Sequence, residues 1–256
     1  MHVDVSAKIS IVCAAAALAT AGSAEAATCP IAAQVSARPA SVVLGEPIDL
    51  TLVLRNTAAG AIDLFAPSER AGNVRLSIAE EANPAAFRAY NGPRWGAGDV
   101  RRRPAKLKKN GSLRLKLHVL YNVAPRVANP DPKAEIKTPF AFGTAGRFVA
   151  RVRYDDRSSC PDQPVEATVA IQVAAPAGED LVVWDSIKSC AACALLLHGE
   201  DLDPNDRAAQ DAVALFRKIV AQHPRTRYTK SIRQVLHDID SPGGGAENYG
   251  DEDDGG

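Results

Sequence analysis

The sequence predicts a β-sandwich followed by a small all-α domain, an α+β chain overall. Between residues 35 and 173, short segments alternate apolar and polar residues and are separated by Gly, Pro and Asn, which is typical of strands joined by turns. From about residue 180 onward, apolar residues recur at helical spacing instead. Roughly seven strands over about 140 residues, without helical crossovers, favour two packed antiparallel sheets.

The clearest predicted strands place apolar side chains on one face. In segment 48–54 every second residue is Ile or Leu, so strand periodicity directs all four into a core. In segment 148–154, apolar residues alternate with Val149, Arg151 and Arg153, which predicts one buried face and one mostly charged face. The other predicted strands are 61–65, 74–78, 113–117 and 165–173.

Two longer insertions interrupt the strand pattern. Residues 88–109 are rich in Arg, Gly and Pro and contain Trp95, and residues 122–139 are rich in proline and predicted to form an extended loop. Loops of this length in a compact domain are often functional. Six cationic residues of the first insertion cluster after Trp95 and are here called the basic run: Arg101, Arg102, Arg103, Lys106, Lys108 and Lys109.

Three helices are predicted after the strands. Residues 181–197 are apolar on nearly all sides and contain no Gly or Pro, which predicts one buried helix. A second helix is predicted to begin after Asp203 as N-cap and to end before Pro224. A third covers 226–239. The Gly-rich, acidic segment 241–256 has no apolar periodicity and is predicted to be disordered.

The N-terminal segment has the three-part pattern of a secretory signal. Lys8 precedes an apolar stretch over 9–20, and Ala24 and Ala26 satisfy the small-residue rule for cleavage near Ala26. The stretch is shorter than the roughly 20 residues that a membrane span needs. We therefore expect an exported protein, periplasmic or secreted, without a transmembrane span. The predicted organisation is signal peptide 1–26, sandwich 27–175, helical domain 180–240 and acidic tail 241–256.

Two segments of the strand region resemble a bacterial immunoglobulin-like or fibronectin-III-like domain. Residues 44–56 (LGEPIDLTLVLRN) are similar to the turn and second strand of such domains, and residues 144–150 (TAGRFVA) to their penultimate strand. The chain departs from antibody-type domains at two positions. Phe148 replaces a frequent Tyr, and Ala150 stands where those domains have their second core cysteine. The resemblance therefore implies an immunoglobulin-like sandwich of another type.

The stretch 214–236 (ALFRKIVAQHPRTRYTKSIRQVL) resembles a tetratricopeptide-like hairpin of the bacterial envelope type. Phe216, Pro224 and Tyr228 match the pattern in which one helix ends at a Pro and the next begins near a Tyr. A solenoid needs about three repeats to bury its faces, and only one such junction is present. The resemblance therefore implies a truncated relative, or a helical cap packed on the sandwich. Families with either module mostly bind proteins or glycans, although a fold does not determine a function.

Four cysteines remain once Cys13 leaves with the signal: Cys29, Cys160, Cys190 and Cys193. An even number in an exported chain predicts disulfides, and spacing leaves all three pairings open. In an immunoglobulin-like sandwich, the chain start and the connection before the last strand lie at the same pole. The resemblance therefore implies a Cys29–Cys160 bond.

The C-x-x-C motif of Cys190 and Cys193 admits several interpretations. A pair at a helix start would have a lowered thiol pKa and could be redox-active. Haem attachment would need a His where Ala194 stands, and a metal site with His198 would lack a fourth ligand. A structural role is favoured, because the pair falls inside the predicted apolar helix and no thioredoxin-like βαβ pattern surrounds it.

The remaining charges and motifs suggest binding rather than catalysis. The formal net charge is zero, which argues against a global footprint for nucleic acid. The basic run could contact an anionic glycan, phospholipid headgroups or an acidic partner, but a solvated loop is favoured. The acidic tail could fold back on this run or simply increase solubility. No HExxH, GxSxG, P-loop or dinucleotide motif occurs, so no catalytic, cofactor or metal residue is assigned.

The leading hypothesis is a non-enzymatic binding or scaffold protein of the cell envelope, with another envelope protein or a glycan as partner. Two alternatives stay open: an envelope redox protein that uses Cys190 and Cys193, and an accessory module that positions substrate for a hydrolase.

Overall fold

The computed structural model describes residues 29–90, 92, 101–122, 139–161 and 163–241. The predicted signal peptide, Trp95, most of the proline-rich insertion and the acidic tail after Ser241 lie outside the described residues. The described chain is α+β, with a run of strands followed by a run of helices.

The strands confirm all six predicted segments and add others. Their bounds are β1 Ile31–Arg38, β2 Ser41–Val43, β3 Ile48–Asn56, β4 Ile62–Phe65, β5 Val74–Glu80, β6 Arg88–Ala89, β7 Pro104–Leu107, β8 Ser112–Val119, β9 Gly146–Tyr154 and β10 Val165–Ala174. One sheet has the order β1-β3-β8, and a second has the order β2-β10-β9-β5-β6. Within the second sheet β2 runs parallel to β10, whereas the other pairs are antiparallel.

The core lies where the apolar faces of these sheets meet. The predicted inward face of β3 is confirmed, since Ile48, Leu50, Leu52 and Leu54 are completely buried. The predicted inward face of β9, from Phe148 to Tyr154, is buried as well. Full burial of one such side chain stabilises the fold by about 1.5–3 kcal/mol, so these two strands alone supply much of the hydrophobic stabilisation.

The first insertion is not the continuous loop that its composition predicts. β7 pairs with β4 in a small two-stranded sheet, and β6 pairs with the end of β5. β7 was not predicted, because it is only four residues long and is flanked by Arg and Lys. Its anchor is Leu107, which is buried in the core.

The two ends of the sheets differ in what covers them. Ile48 of β3 pairs with Val119, and Asn56 at the other end of β3 pairs with Ile31. The nine-residue β3 separates these ends by about 27 Å, at roughly 3.3 Å per residue. We call the end at Ile48 the helical pole, because the helices pack there, and the end at Asn56 the disulfide pole.

The single helix predicted over 181–197 is wrong, because the segment forms two helices. α1 covers Glu179–Ile187 and α2 covers Ala191–His198, with a bend of 108° between them. The bend falls at Cys190, whose extended backbone (φ −89°, ψ 99°) makes it the N-cap of α2. Its Sγ accepts a hydrogen bond from the Cys193 N–H at 3.1 Å, which gives the start of α2 a cap that apolar periodicity does not reveal.

The other two helices begin three residues later than predicted. α3 covers Arg207–Gln222, and its N-cap is Asp206, whose carboxylate accepts the Ala208 N–H. Asp203 instead accepts the Asn205 N–H in the preceding turn. Both Asp residues can cap a helix, so composition could not choose between them. α4 covers Thr229–Asp240. None of the described helices is by itself long and apolar enough to cross a membrane.

The helices pack directly on the helical pole of the sheets. The ring of Trp184 in α1 meets that of Phe140 edge-on, with centroids 5.1 Å apart. The Tyr228 hydroxyl donates to the Leu44 carbonyl at 2.6 Å. The buried side chains of helices and strands form one continuous cluster, so the helices share the core of the strand region.

Candidate functional site

The basic run lies on and beside β7, toward the disulfide pole. All six of its cationic side chains belong to exposed residues. Three features hold its backbone in place. β7 pairs with β4 from Phe65 to Ile62, the Ala66 N–H donates to the Arg103 carbonyl at 2.8 Å, and Leu107 is buried. Lys106 therefore lies on β7 itself, and the other five cationic residues lie on the segments that directly flank this strand.

Aromatic and amide side chains join the basic run to the rest of the sheet. The Arg102 guanidinium lies 5.9 Å from the centre of the Phe65 ring, within the range of a cation–π contact. The buried Asn56 amide donates to the carbonyls of Leu107 and Lys108, each at 3.0 Å. These contacts fix both ends of β7.

A buried carboxylate organises the loop next to the basic run. Asp156 is almost fully buried and accepts the Phe65 N–H at 2.9 Å, the Tyr154 hydroxyl at 2.9 Å, and both the N–H and the hydroxyl of Ser158. Burial by itself raises the pKa of Asp156. The hydrogen bonds from Ser158, Phe65 and Tyr154 outweigh burial, so the pKa lies below its usual range.

The same loop carries one half of a disulfide. Cys29 is bonded to Cys160, which follows the Asp156 network directly. Cys29 precedes β1, and Cys160 lies in the connection between β9 and β10. The structure thus has the pairing that the immunoglobulin-like resemblance implies, and the bond ties the start of the described chain to the disulfide pole.

The second pair, Cys190 and Cys193, is bonded at the start of α2. Its predicted position inside a continuous helix is wrong, because Cys190 is the N-cap. Cys193 is completely buried, whereas Cys190 is partly exposed. A thiolate at Cys190 would retain the hydrogen bond from the Cys193 N–H and would lie at the positive end of the α2 dipole.

Two histidines that are far apart in sequence meet beside α2. The rings of His118 and His198 lie edge-on with centroids 4.9 Å apart, and His198 Nε2 donates to the His118 carbonyl at 3.2 Å. His118 Nδ1 lies 2.7 Å from Asp49, and His198 Nδ1 lies 3.5 Å from Glu200. Burial, with a smaller contribution from His118, lowers the pKa of His198 to about 4. Burial also raises the pKa of Glu200.

These groups do not assemble a metal site. Across the described parts of the chain, no three His, Cys, Asp or Glu side chains are grouped so that they could hold a metal ion. His198, considered from the sequence as a partner of the C-x-x-C pair, lies at the opposite end of α2 from Cys190. The histidine pair was missed because 80 residues separate its members, and periodicity carries no signal for such a contact.

A shallow groove runs along α4 and was not predicted. Its volume is about 470 Å³, and its ionisable lining is entirely basic: Arg225, Lys230, Arg233 and His237. Lys230, Arg233 and His237 are three and four residues apart, so they share one face of α4. The other lining residues are Pro224, Thr226, Thr229 and Gln234. Helical spacing of these basic residues is the sequence signal that could have revealed this groove.

The predicted site residues and the α4 groove therefore lie in distinct places. The basic run and the Cys29–Cys160 bond lie toward the disulfide pole, whereas the Cys190–Cys193 bond and the α4 groove belong to the helices. Trp95, predicted to lie near the basic run, is outside the described residues.

Comparison with known proteins gives only distant likenesses. No family model matches the chain. No curated protein matches it. Among solved structures, it is similar to a CARDB domain from Pyrococcus furiosus, solved with di-metal ions, at 9% identity over 57% of this chain and 94% of that chain, with a TM-score of 0.30.

Two further likenesses are to parts of larger proteins. One is an alkylpurine DNA glycosylase from Pseudomonas fluorescens, at 13% identity over 56% of this chain and 30% of that chain, with a TM-score of 0.28. The other is a β-glucosidase from Erythrobacter marinus, at 13% identity over 56% of this chain and 15% of that chain, with a TM-score of 0.29. Likenesses at these TM-scores are too weak to indicate a function.

Proposed function

We propose that the mature chain is a non-catalytic binding or scaffold protein of the cell envelope, and that the basic run holds an anionic partner, an envelope protein or a glycan. The observation that carries this proposal is the anchoring of six exposed cationic residues on and around β7. Lys106 lies on β7 and the other five residues flank it, so the paired backbone supports a low ordering cost on binding, compared with a mobile loop.

The strand arrangement supports an immunoglobulin-like sandwich as the scaffold. Such folds place the first long strands and the strand before the last two in one sheet, and the last two strands in the facing sheet. β1, β3 and β8 share one sheet, and the last two strands, β9 and β10, are neighbours in the other, which supports that plan. The helices supply a second surface, and the hairpin of α3 and α4, with Phe216 buried and Pro224 between the helices, supports a tetratricopeptide-like origin.

The two disulfides support a location outside the cytoplasm, where such bonds persist. This part of the proposal has its own test. The chain would be expressed with its N-terminal segment in a bacterial host, and the N-terminus of the exported product would be sequenced. A start near Ala27 is expected, and retention of residues 1–26 in a cytoplasmic product would contradict export.

The binding test compares anionic with neutral ligands. Immobilised anionic polysaccharide, neutral polysaccharide, and anionic and zwitterionic vesicles are each incubated with the mature protein at about 50 and 200 mM salt. We expect retention on at least one anionic ligand, weakening at the higher salt. The triple variant Arg101→Gln/Arg102→Gln/Lys106→Gln should lose this retention. Equal retention on neutral ligands, or unchanged retention of the triple variant, would contradict the proposal.

A charge-matched control is available on the outer face of the other sheet. Arg55, Arg114 and Lys116 are exposed on β3 and β8. The variant Arg55→Gln/Arg114→Gln/Lys116→Gln also removes three positive charges, but leaves the basic run intact. Retention should survive in this control if the basic run, and not net charge, binds the ligand.

A second candidate function is thiol–disulfide exchange at Cys190 and Cys193. The position of Cys190 at the N-cap of α2, with Cys193 buried behind it, favours this alternative. A substrate thiolate would attack Cys190 Sγ and displace the Cys193 thiolate, giving a mixed disulfide. A second substrate thiolate would then attack the substrate sulfur and release the Cys190 thiolate. The substrate is oxidised by two electrons, and the cysteine pair is reduced.

The reduction potential of the Cys190–Cys193 bond distinguishes this candidate from a structural bond. Equilibration in glutathione buffers, with thiol alkylation and mass mapping, would measure each bond separately. A value between about −120 and −270 mV is expected of an exchange catalyst. A value below about −300 mV, like that of structural disulfides, would overturn the redox function. The Cys29–Cys160 bond serves as the internal reference.

A further inference from the structure

The groove on α4 is a concentrated positive surface at the end of the described chain. Arg225, Lys230, Arg233 and His237 line it and belong to exposed residues, and no acidic residue among the described parts of the chain lines it. The carboxylates nearest to it in sequence are already engaged. Asp238 accepts from Gln234 at 2.8 Å, and Asp240 pairs with Arg217 at 2.8 Å.

Acidic residues follow this groove in the sequence. The segment after α4 contains Glu247, Asp251, Glu252, Asp253 and Asp254, and residues 241–256 contain no Lys or Arg. We infer that the groove of α4 is the docking site of this acidic tail from the same chain. The tail therefore competes with any external polyanion for the groove.

The reach of the chain permits this contact. α4 has 12 residues and is about 18 Å long, at 1.5 Å per residue. The six residues 241–246, three of them Gly, span up to about 20 Å when extended. Glu247 can therefore return along the whole of α4, from its C-terminal end to the level of Lys230.

The direction of α4 favours binding of the acidic residues 251–254 at the N-terminal end of the helix. Arg225 and Lys230 lie at the N-terminal end of α4, where the helix dipole is positive and stabilises carboxylates. The C-terminal end, where the chain leaves the helix, is unfavourable for acids. A tail that folds back thus brings residues 251–254 to the end of the helix that attracts them.

The basic run is the other cationic surface that the tail could approach, and it is more distant. The helices pack on the helical pole, whereas the run lies toward the disulfide pole, about 27 Å away along β3. A tether that must span a longer path gives a lower effective concentration. Proximity therefore favours the groove. This inference does not depend on the basic run binding a partner.

Zero-length cross-linking in the full mature chain tests the inference. A carbodiimide joins carboxylates to lysines, and Lys230 is the lysine that lines the groove. At about 20 mM salt we expect peptide mapping to recover links from Lys230 to residues 247–254. The yield should fall at least about five-fold at 1 M salt, because exposed charges are then screened. Dominant links from the tail to Lys106, Lys108 or Lys109 would overturn the inference.

Two variants and a mixing control sharpen the result. Arg225→Gln/Arg233→Gln keeps the reactive Lys230, and should reduce its links to the tail at least about five-fold. Arg207→Gln/Lys218→Gln removes two exposed charges from α3 and should leave them unchanged. Equal yields in the two variants would overturn the groove assignment. Links between isotope-labelled and unlabelled chains, in place of links within one chain, would overturn docking in cis.

Discussion

Gly45 and Trp184 are in such close contact that a Cβ atom at Gly45 would lie 2.6 Å from Cζ3 of the indole. Gly45 also has a positive φ of 81°, a conformation that L side chains rarely adopt. It lies between β2 and β3, beside the Leu44 carbonyl that accepts the Tyr228 hydroxyl. This contact lets the helices approach the helical pole, and Glu46 secures it through a 2.9 Å ion pair with Arg227.

Substitution of this glycine should loosen the helices from the sheets. Gly45→Ala combines the cost of a left-handed residue with a steric clash, and we expect about 2–4 kcal/mol of lost unfolding free energy. Urea unfolding followed by circular dichroism would measure the loss. Gly72→Ala is the matched control, because Gly72 has a φ of 70° but nothing within 4 Å of a Cβ. It should cost only about 1 kcal/mol, and equal losses would contradict the role of the Trp184 contact.

The two disulfides should contribute unequally to stability. Their cysteines are 131 and 3 residues apart, so they constrain the unfolded chain to very different extents. In the chain-entropy model, Cys29→Ser/Cys160→Ser loses about 5 kcal/mol and Cys190→Ser/Cys193→Ser about 2 kcal/mol. Denaturant titration of both double variants measures the difference. A larger loss at the C-x-x-C pair would show that its contribution lies in folded contacts around α2.

Loss of the Asp156 charge should destabilise the disulfide pole. Asp156→Asn keeps the size of the side chain, but replaces one acceptor oxygen with an NH2 group that faces the existing donors. We expect a loss of about 2–3 kcal/mol in unfolding free energy. Because the folded pKa is depressed, the ionised group stabilises the fold above about pH 4, and that contribution is lost as the pH falls through the folded pKa. The variant should therefore show a weaker dependence of unfolding free energy on pH below 4.

The neighbouring carboxylate provides the comparison for Asp156. Asp155 is partly exposed and lies 3.8 Å from Arg153 and 4.0 Å from Arg157. Asp155→Asn should change stability by less than about 1 kcal/mol, as is usual for surface ion pairs. If both substitutions cost the same, burial and the hydrogen bonds of Asp156 are not the source of its contribution.

His198 should make stability depend on pH between about 6.5 and 4. Its folded pKa is lowered to about 4, chiefly by burial, so the unfolded chain takes up a proton in this range while the folded chain does not. The full contribution is present above pH 6.5, and about 1–3 kcal/mol is lost by pH 4. Glu200, with its raised pKa, gains a proton in the folded state and opposes part of this loss.

A substitution separates the pH dependence that is due to His198 from that of its neighbours. His198→Gln can still donate to the His118 carbonyl, but it cannot titrate. The difference in unfolding free energy between the parent and this variant should therefore change between pH 6.5 and 4, while the contribution of Glu200, present in both proteins, largely cancels. Chemical denaturation at half-unit pH intervals measures it. A difference that stays constant across this range would contradict a buried, neutral His198.

Much of the strand region follows from alternation alone. The inward residues of β3 and β9 were predicted correctly, because a two-residue period in Ile, Leu and Val has one way to bury its apolar face. Short strands and helix starts were less predictable. β7 has four residues, and Asp203 and Asp206 are equally suited to cap α3. The apolar composition of 181–197 predicted one buried helix, and revealed neither the break at Cys190 nor the exposure of Leu181 and Val182.

The sequence by itself determined the order of strands and helices, the inward faces of the long strands and the even set of cysteines after the predicted signal. These are properties of local spacing, which the chain carries along its length. Spacing left the cysteine pairing open, although the immunoglobulin-like resemblance implied the Cys29–Cys160 bond that the structure has. Only the tertiary structure decided the meeting of His118 with His198 and the contact of Trp184 with Gly45. Each joins residues more than 70 positions apart. Packing of the whole core brings such residues together, and no local pattern encodes that packing.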